Sequence, residues 1–127
     1  MNKKSKNKLT WAVIIVVIVG IFSYAMYQNS IPGKYDDFAK CLKDKGAIFY
    51  GAYWCPHCQK QKSVFGKSKK YLPYVECSTA DGRGQVPQCN DKNITSYPTW
   101  IFADSSQETG ELSLKTLAEK TGCALSQ

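Results

Sequence analysis

The chain has 127 residues and a formal net charge of +7, from 17 Lys and Arg against 10 Asp and Glu. Four of the positive charges are Lys3, Lys4, Lys6 and Lys8; from Gln28 onward 13 basic residues face 10 acidic ones, a balance too mild to call for nucleic acid. The chain beyond its apolar start is long enough for one small domain with a modest core, and its six cysteines point to an oxidising compartment.

Residues 1–8 form a basic tail and residues 9–27 are 19 residues without a charge. A run of about 20 apolar residues spans a bilayer as a helix. The preceding lysines predict a single-pass anchor with a cytoplasmic N-terminus and an extracytoplasmic domain. The alternative is a signal peptide cleaved after Ser23-Tyr24-Ala25. No cysteine follows the span closely, which argues against a bacterial lipid anchor. Residues 28–33 read as a linker punctuated by Pro32-Gly33, and residues 34–127 as the folded domain.

Within the domain, residues 35–45 read as a helix with Phe38, Cys41 and Leu42 as its apolar stripe, ended by Gly46. Residues 47–53 read as a buried strand. A helix is expected over 56–70, opened by Pro56. Residues 74–77 form a second strand, 78–88 a Gly- and Pro-containing loop, and 91–95 a helical turn. A third strand covers 99–102, a hairpin turn 104–110 and a fourth strand 110–112. Ser113 caps a last helix that ends at Gly122. Strands alternating with helices, then a hairpin and a helix, describe an α/β domain with a mixed sheet.

The chemistry sits at Cys55-Pro56-His57-Cys58, where the first strand hands over to a helix. Two thiols one turn apart form a dithiol/disulfide site. The first must attack a disulfide as a thiolate. At a helix N-terminus it meets unpaired N–H groups and the positive end of the dipole, which favour the ionised form. Cys55 is therefore the expected nucleophile and Cys58 the resolving thiol. His57 adds a donor or a positive charge beside the Cys55 sulfur, and Pro56 starts the helix. A stabilised reduced form makes the disulfide a stronger oxidant. Half a zinc site is the competing reading of Cys-x-x-Cys, but it lacks a second close pair: Cys77 and Cys89 are 12 apart and His57 is the only histidine. A purely structural disulfide within the motif is the other alternative. The lysines at 60, 62, 67, 69 and 70 read as a solvated helix face or, alternatively, a docking patch. Asn93-Ile94-Thr95 matches a glycosylation sequon and reads as chance.

Trp54-Cys55-Pro56-His57-Cys58 followed by Tyr97-Pro98-Thr99 resembles the thioredoxin fold. That resemblance implies a cis-proline at Pro98 facing the cysteine pair, with Tyr97, Pro98 and Trp54 offering a surface to substrate; a trans proline opening the strand is the alternative. A narrower likeness covers residues 38–123. It rests on Gly46-Ala47, Phe49-Tyr50-Gly51-Ala52, the extended Cys motif through Gln59, Gln61-Lys62, Phe65-Gly66, Tyr74-Val75-Glu76-Cys77 and Ser96 to Ile101. These segments resemble the thioredoxin-like domain associated with bacterial and plant vitamin K epoxide reductase homologues. The resemblance implies a redox-active Cys55–Cys58 disulfide, recharged by a quinone-linked membrane enzyme and passing oxidising equivalents to exported proteins. It also implies a Cys77–Cys89 disulfide, either structural or relaying to the active pair. Cys41 and Cys123 are left to pair with each other, or Cys41 to serve as a small buried residue.

Two departures stand out. There is one span and no quinone-binding bundle, so the membrane oxidase would be a separate chain. Phe49 stands six residues before Cys55, where thioredoxins often carry a buried acid. The expectation is a membrane-anchored thiol-disulfide oxidoreductase acting as an oxidant, with no cofactor, metal or nucleic-acid partner. The alternatives are a reductase or isomerase, and a non-catalytic module that holds unfolded exported chains.

Overall fold

The computed structural model describes residues 3–125, so residues 1–2 of the basic tail and 126–127 of the domain lie outside the described residues. The chain divides into two units, one ending at Pro32 and one beginning at Gly33.

The first unit is the helix α1, Lys3–Ser30. Its segment Asn7–Ser30 has a mean hydropathy of 2.4 and is long and apolar enough to cross a membrane. The helix runs through 28–30, which the sequence assigned to a linker. No breaker precedes Pro32, and Ser30 Oγ donates back to the Met26 carbonyl at 2.9 Å.

In the second unit, α2 (Asp36–Asp44) precedes β1 (Ile48–Gly51), and α3 (Pro56–Ser63) leads through a 3-10 helix (Gly66–Tyr71) to β2 (Tyr74–Glu76). The short helix α4 (Pro87–Asn90), strands β3 (Thr99–Ile101) and β4 (Gln107–Thr109) and helix α5 (Leu114–Thr121) complete it. The sheet order is β2-β1-β3-β4. β1 runs parallel to β2 and antiparallel to β3, and β3 runs antiparallel to β4. The sheet is therefore mixed, as the element order implied.

The core forms where the two central strands pair. Phe49 and Trp100 are register partners, and their rings stack with centroids 4.8 Å apart. Phe38, Ala39 and Leu42 of α2 are buried against them in the same cluster, with Phe65 and Leu117. α2 ends in a Schellman-type turn: Ala47 N donates to Leu42 O and Gly46 N to Lys43 O, with Gly46 at φ 76°.

Three expected elements shift. The helix expected over 56–70 breaks, because Gly66 takes φ 55°, outside the right-handed helical region, and buried Phe65 turns inward to stack on Phe38. The helical turn expected at 91–95 forms earlier, at Pro87–Asn90, since proline presets the first turn. The fourth strand is Gln107–Thr109 rather than 110–112. Its turn closes sooner because Asp104 Oδ1 accepts from both Ser106 N and Ser106 Oγ. Ser113 caps α5 as expected from sequence, its Oγ accepting from Thr116 N at 3.0 Å, and Gly122 ends that helix at φ 72°.

Candidate active site

β1 delivers the chain into a tight turn at residues 52–55. Cys55 N donates to Ala52 O at 3.1 Å, and Cys55 becomes the N-cap residue of α3 with Pro56 in the first helical position. The turn is held from three sides. Gln59 Nε2 donates to Tyr53 O, Tyr53 N donates to Glu76 Oε1, and Trp54 Nε1 donates to Ser78 Oγ at 2.9 Å.

Cys55 and Cys58 are both free thiols. Cys55 keeps 5% of its surface exposed, whereas Cys58 has none. Both are buried, the first keeping a little surface and the second none. Burial pushes the Cys58 thiol up to about 12; its hydrogen bond with Cys55 adds to this, and a backbone hydrogen bond from Ala52 opposes it.

The Tyr97–Pro98 peptide is cis, and the Tyr97 carbonyl lies 3.7 Å from Cys55 Sγ, where it accepts the thiol hydrogen bond. Trp54 stands on the rim, 52% exposed, with its ring edge-on to Tyr97 at 6.0 Å. Cys55, Cys58, Trp54, Tyr97 and Pro98 are thus brought together.

His57 has a partner that the sequence did not indicate: its Nδ1 lies 2.7 Å from Glu111 Oε1. Lys60 Nζ reaches the other carboxylate oxygen at 3.1 Å. His57 first and Lys60 second hold the Glu111 carboxyl below its ordinary range. A buried clamp places Glu111 there: Gln61 Nε2 donates to Leu112 O at 3.0 Å and Leu112 N donates to Gln61 Oε1 at 2.7 Å.

Behind Cys58 lies a second polar group. Lys62 Nζ sits 3.3 Å above the Tyr74 ring, and the Tyr74 hydroxyl donates to Glu76 Oε2 at 2.7 Å. Desolvation lowers Lys62, with Glu76 and Cys58 opposing, and desolvation raises Tyr74, with Glu76 adding to it. Phe49 is fully buried at the position six before Cys55, so the charged groups near the resolving thiol come from α3 and β2 instead. Of the five clustered lysines, Lys62 thus lies over Tyr74 near Cys58, and Lys60 is an exposed partner of Glu111.

The remaining cysteines form two disulfides, Cys77–Cys89 and Cys41–Cys123. Among the described residues no group of three or more His, Cys, Asp and Glu gathers to hold a metal.

Glu111, Gln61 and Ser78 were missed in the sequence. His57 and Glu111 are 54 residues apart, and no local pattern links them. Lys62 was within reach of sequence reasoning, since it lies four residues after Cys58 and so on the same helix face.

A dithiol at the start of a helix, set against a cis-proline loop in a mixed β-sheet, defines a thioredoxin-type domain. The chain belongs to the thioredoxin family, whose family model, Thioredoxin, matches residues 31–121. It is 44% identical over 93 residues to thiol-disulfide oxidoreductase LTO1 of Arabidopsis thaliana, covering 70% of this chain and 24% of that protein. It is also 29% identical over 91 residues to glutaredoxin-3 of Homo sapiens, covering 69% of this chain and 27% of that protein. The chain thus spans about a quarter of the length of these curated relatives.

Proposed function

We propose that this chain is a membrane-anchored thiol-disulfide oxidoreductase whose Cys55–Cys58 disulfide oxidises thiols of exported proteins. The observation that carries the reading is the pairing of Cys55, the slightly exposed cysteine with its sulfur beside the Tyr97 carbonyl, with a fully buried Cys58. Likeness to a protein named as a thiol-disulfide oxidoreductase supports it.

A substrate thiolate attacks Cys55 Sγ of the disulfide. The Cys55–Cys58 bond breaks, a Cys55–substrate bond forms, and Cys58 leaves and takes a proton. A second substrate thiolate then attacks the substrate sulfur. The substrate leaves with a disulfide, and the dithiol keeps two electrons. Burial favours the protonated form of Cys58, which suits it to take up that proton once released.

The direction of flow is read from the surroundings. The same domain carries two further disulfides, which suits a compartment where disulfides persist. The apolar helix α1 is the proposed single-pass anchor, with the dithiol domain on the extracytoplasmic side. We further propose that a quinone-linked membrane enzyme of the vitamin K epoxide reductase type reoxidises the dithiol.

Equilibration of the full chain with glutathione buffers tests the direction. The expected reduction potential lies well above the roughly −270 mV of thioredoxin, and a value at or below that would overturn the oxidant reading. A Cys58→Ala variant should accumulate mixed disulfides through Cys55; their absence would refute turnover at this pair.

A further inference from the structure

The loop between β2 and α4 is more rigid than its composition suggests, and it grips the active site. Its base is closed by the Cys77–Cys89 disulfide, by Val86 N donating to Cys77 O at 2.8 Å, and by an antiparallel bridge between Ser78 and Gln85. Its tip is bonded internally. Thr79 N donates to Gly84 O, Gly84 N donates to Thr79 Oγ1 at 2.9 Å, and Asp81 Oδ1 accepts from Thr79 Oγ1 and Arg83 N. A loop so closed has little freedom left, and whatever it holds is held still.

It holds both aromatic residues that flank Cys55. Ser78, itself buried, accepts the Trp54 indole N–H at 2.9 Å through Oγ, which is oriented by its own donation to the Thr79 carbonyl. Gln85 Nε2 donates to the Tyr97 hydroxyl and to the Ile94 carbonyl. Gly82 passes so close that a Cβ there would stand 3.0 Å from Tyr53 Oη and 3.7 Å from Trp54 Cδ1.

An exposed tryptophan on a rim ordinarily samples several rotamers and loses that freedom when a partner binds. Here the loss is taken in the folded state, before any partner arrives. We infer that Ser78 and Gln85 are positioning residues that preorganise Trp54 and Tyr97 as an aromatic wall for an extended polypeptide segment carrying its cysteine beside an apolar residue. The inference rests on the oxidoreductase reading above and names the substrate class of that same site. A small dithiol, too short to reach the wall, gains nothing from it, so the device separates polypeptide substrates from small thiols without altering the dithiol chemistry.

The test uses the oxidised full chain in detergent, with dithiothreitol and an unstructured peptide carrying a Leu-Cys pair as the two reductants. Losing one net hydrogen bond corresponds to a KM for peptide raised roughly fivefold in Ser78→Ala and, separately, in Gln85→Leu. Gln85→Leu is expected to keep the peptide kcat, the rate with dithiothreitol and the Cys55–Cys58 potential of the parent chain, and in Ser78→Ala the rise in peptide KM is expected to exceed any slowing with dithiothreitol. In a Trp54→Phe background, which has no indole N–H, Ser78→Ala should raise KM no further. Unchanged peptide KM in both variants overturns the inference, and so does equal slowing with peptide and dithiothreitol, which would report damage to the dithiol. A parent chain inert toward both reductants overturns the oxidoreductase reading and this inference with it. An active parent chain with indifferent variants overturns the inference alone.

Discussion

Gly51 is the last residue of β1 and lies directly beneath the dithiol. A Cβ added there would stand 2.9 Å from Cys58 Sγ and 2.9 Å from Tyr74 Cε2. Non-bonded carbon contacts settle at about 3.5–4.0 Å, so a Gly51→Ala methyl overlaps both neighbours by roughly half an ångström or more. Neither neighbour yields freely. Cys58 is enclosed, and the Tyr74 ring is fixed by its hydroxyl on Glu76 and by Lys62 above its face. Overpacking of this kind costs about 1–3 kcal/mol. In a domain of this size that lowers the melting temperature by about 5–20 °C. Thermal denaturation of the reduced full chain, followed by near-ultraviolet circular dichroism, reads the first consequence. The second is local. Cys58 must move outward, so its alkylation by iodoacetamide in a Cys55→Ser background should accelerate. A Gly51→Ala variant that melts within about a degree of its parent, with alkylation unchanged, would refute the packing argument.

Three more outcomes rest on the site and its supports. Folded Cys58 keeps its proton up to about 12, while an ordinary thiol gives it up near 9.0; the reduced chain should therefore lose stability as pH rises across that window. The oxidised chain lacks this contribution, so the gap between their denaturant midpoints should shift against the reduced form above pH 9.0. Glu111 titrates below its ordinary 4.5, so its pairing with His57 and Lys60 is present above that value and lost as pH falls through the folded value; acid melts of the parent chain and Glu111→Gln should converge below pH 4.5. Replacing both Cys41 and Cys123 by Ala removes a closure across 82 residues, about 4.5 kcal/mol in the chain-entropy model, against about 3 kcal/mol for the 12-residue closure of Cys77 and Cys89. Equilibrium denaturation should rank the two double variants in that order.

Legibility in the sequence tracked the range of each signal. Cys55-Pro56-His57-Cys58 is a contiguous motif, so the strand end before it and the helix start within it could both be reasoned from neighbouring residues. Ser113 and Gly122 are likewise local, and the helix lies between them. The single helix expected over 56–70 failed because its polar, lysine-rich pattern does not show where the chain must turn to bury Phe65. β4 failed for the opposite reason. Gln107, Glu108 and Thr109 lie on a sheet edge and carry no alternation of apolar and polar residues. Glu111 reached His57 only through the Gln61–Leu112 clamp, and that clamp is a tertiary contact between residues 51 apart. Local reasoning could not supply this partner of His57, which lies 54 residues away.

The bond between Cys41 and Cys123 turns most of the second unit into a covalent ring. Every strand, the dithiol helix and the aromatic rim lie inside that ring, whereas the chain leading to α1 lies outside it. Tension applied through α1, against a hold on residues beyond Cys123, passes from α2 across the sulfur bridge and bypasses the sheet. The strands and the dithiol helix are thereby insulated from a pull applied to the two ends of the chain. A single protease cut in one of its surface loops would also leave two fragments still joined around the same core.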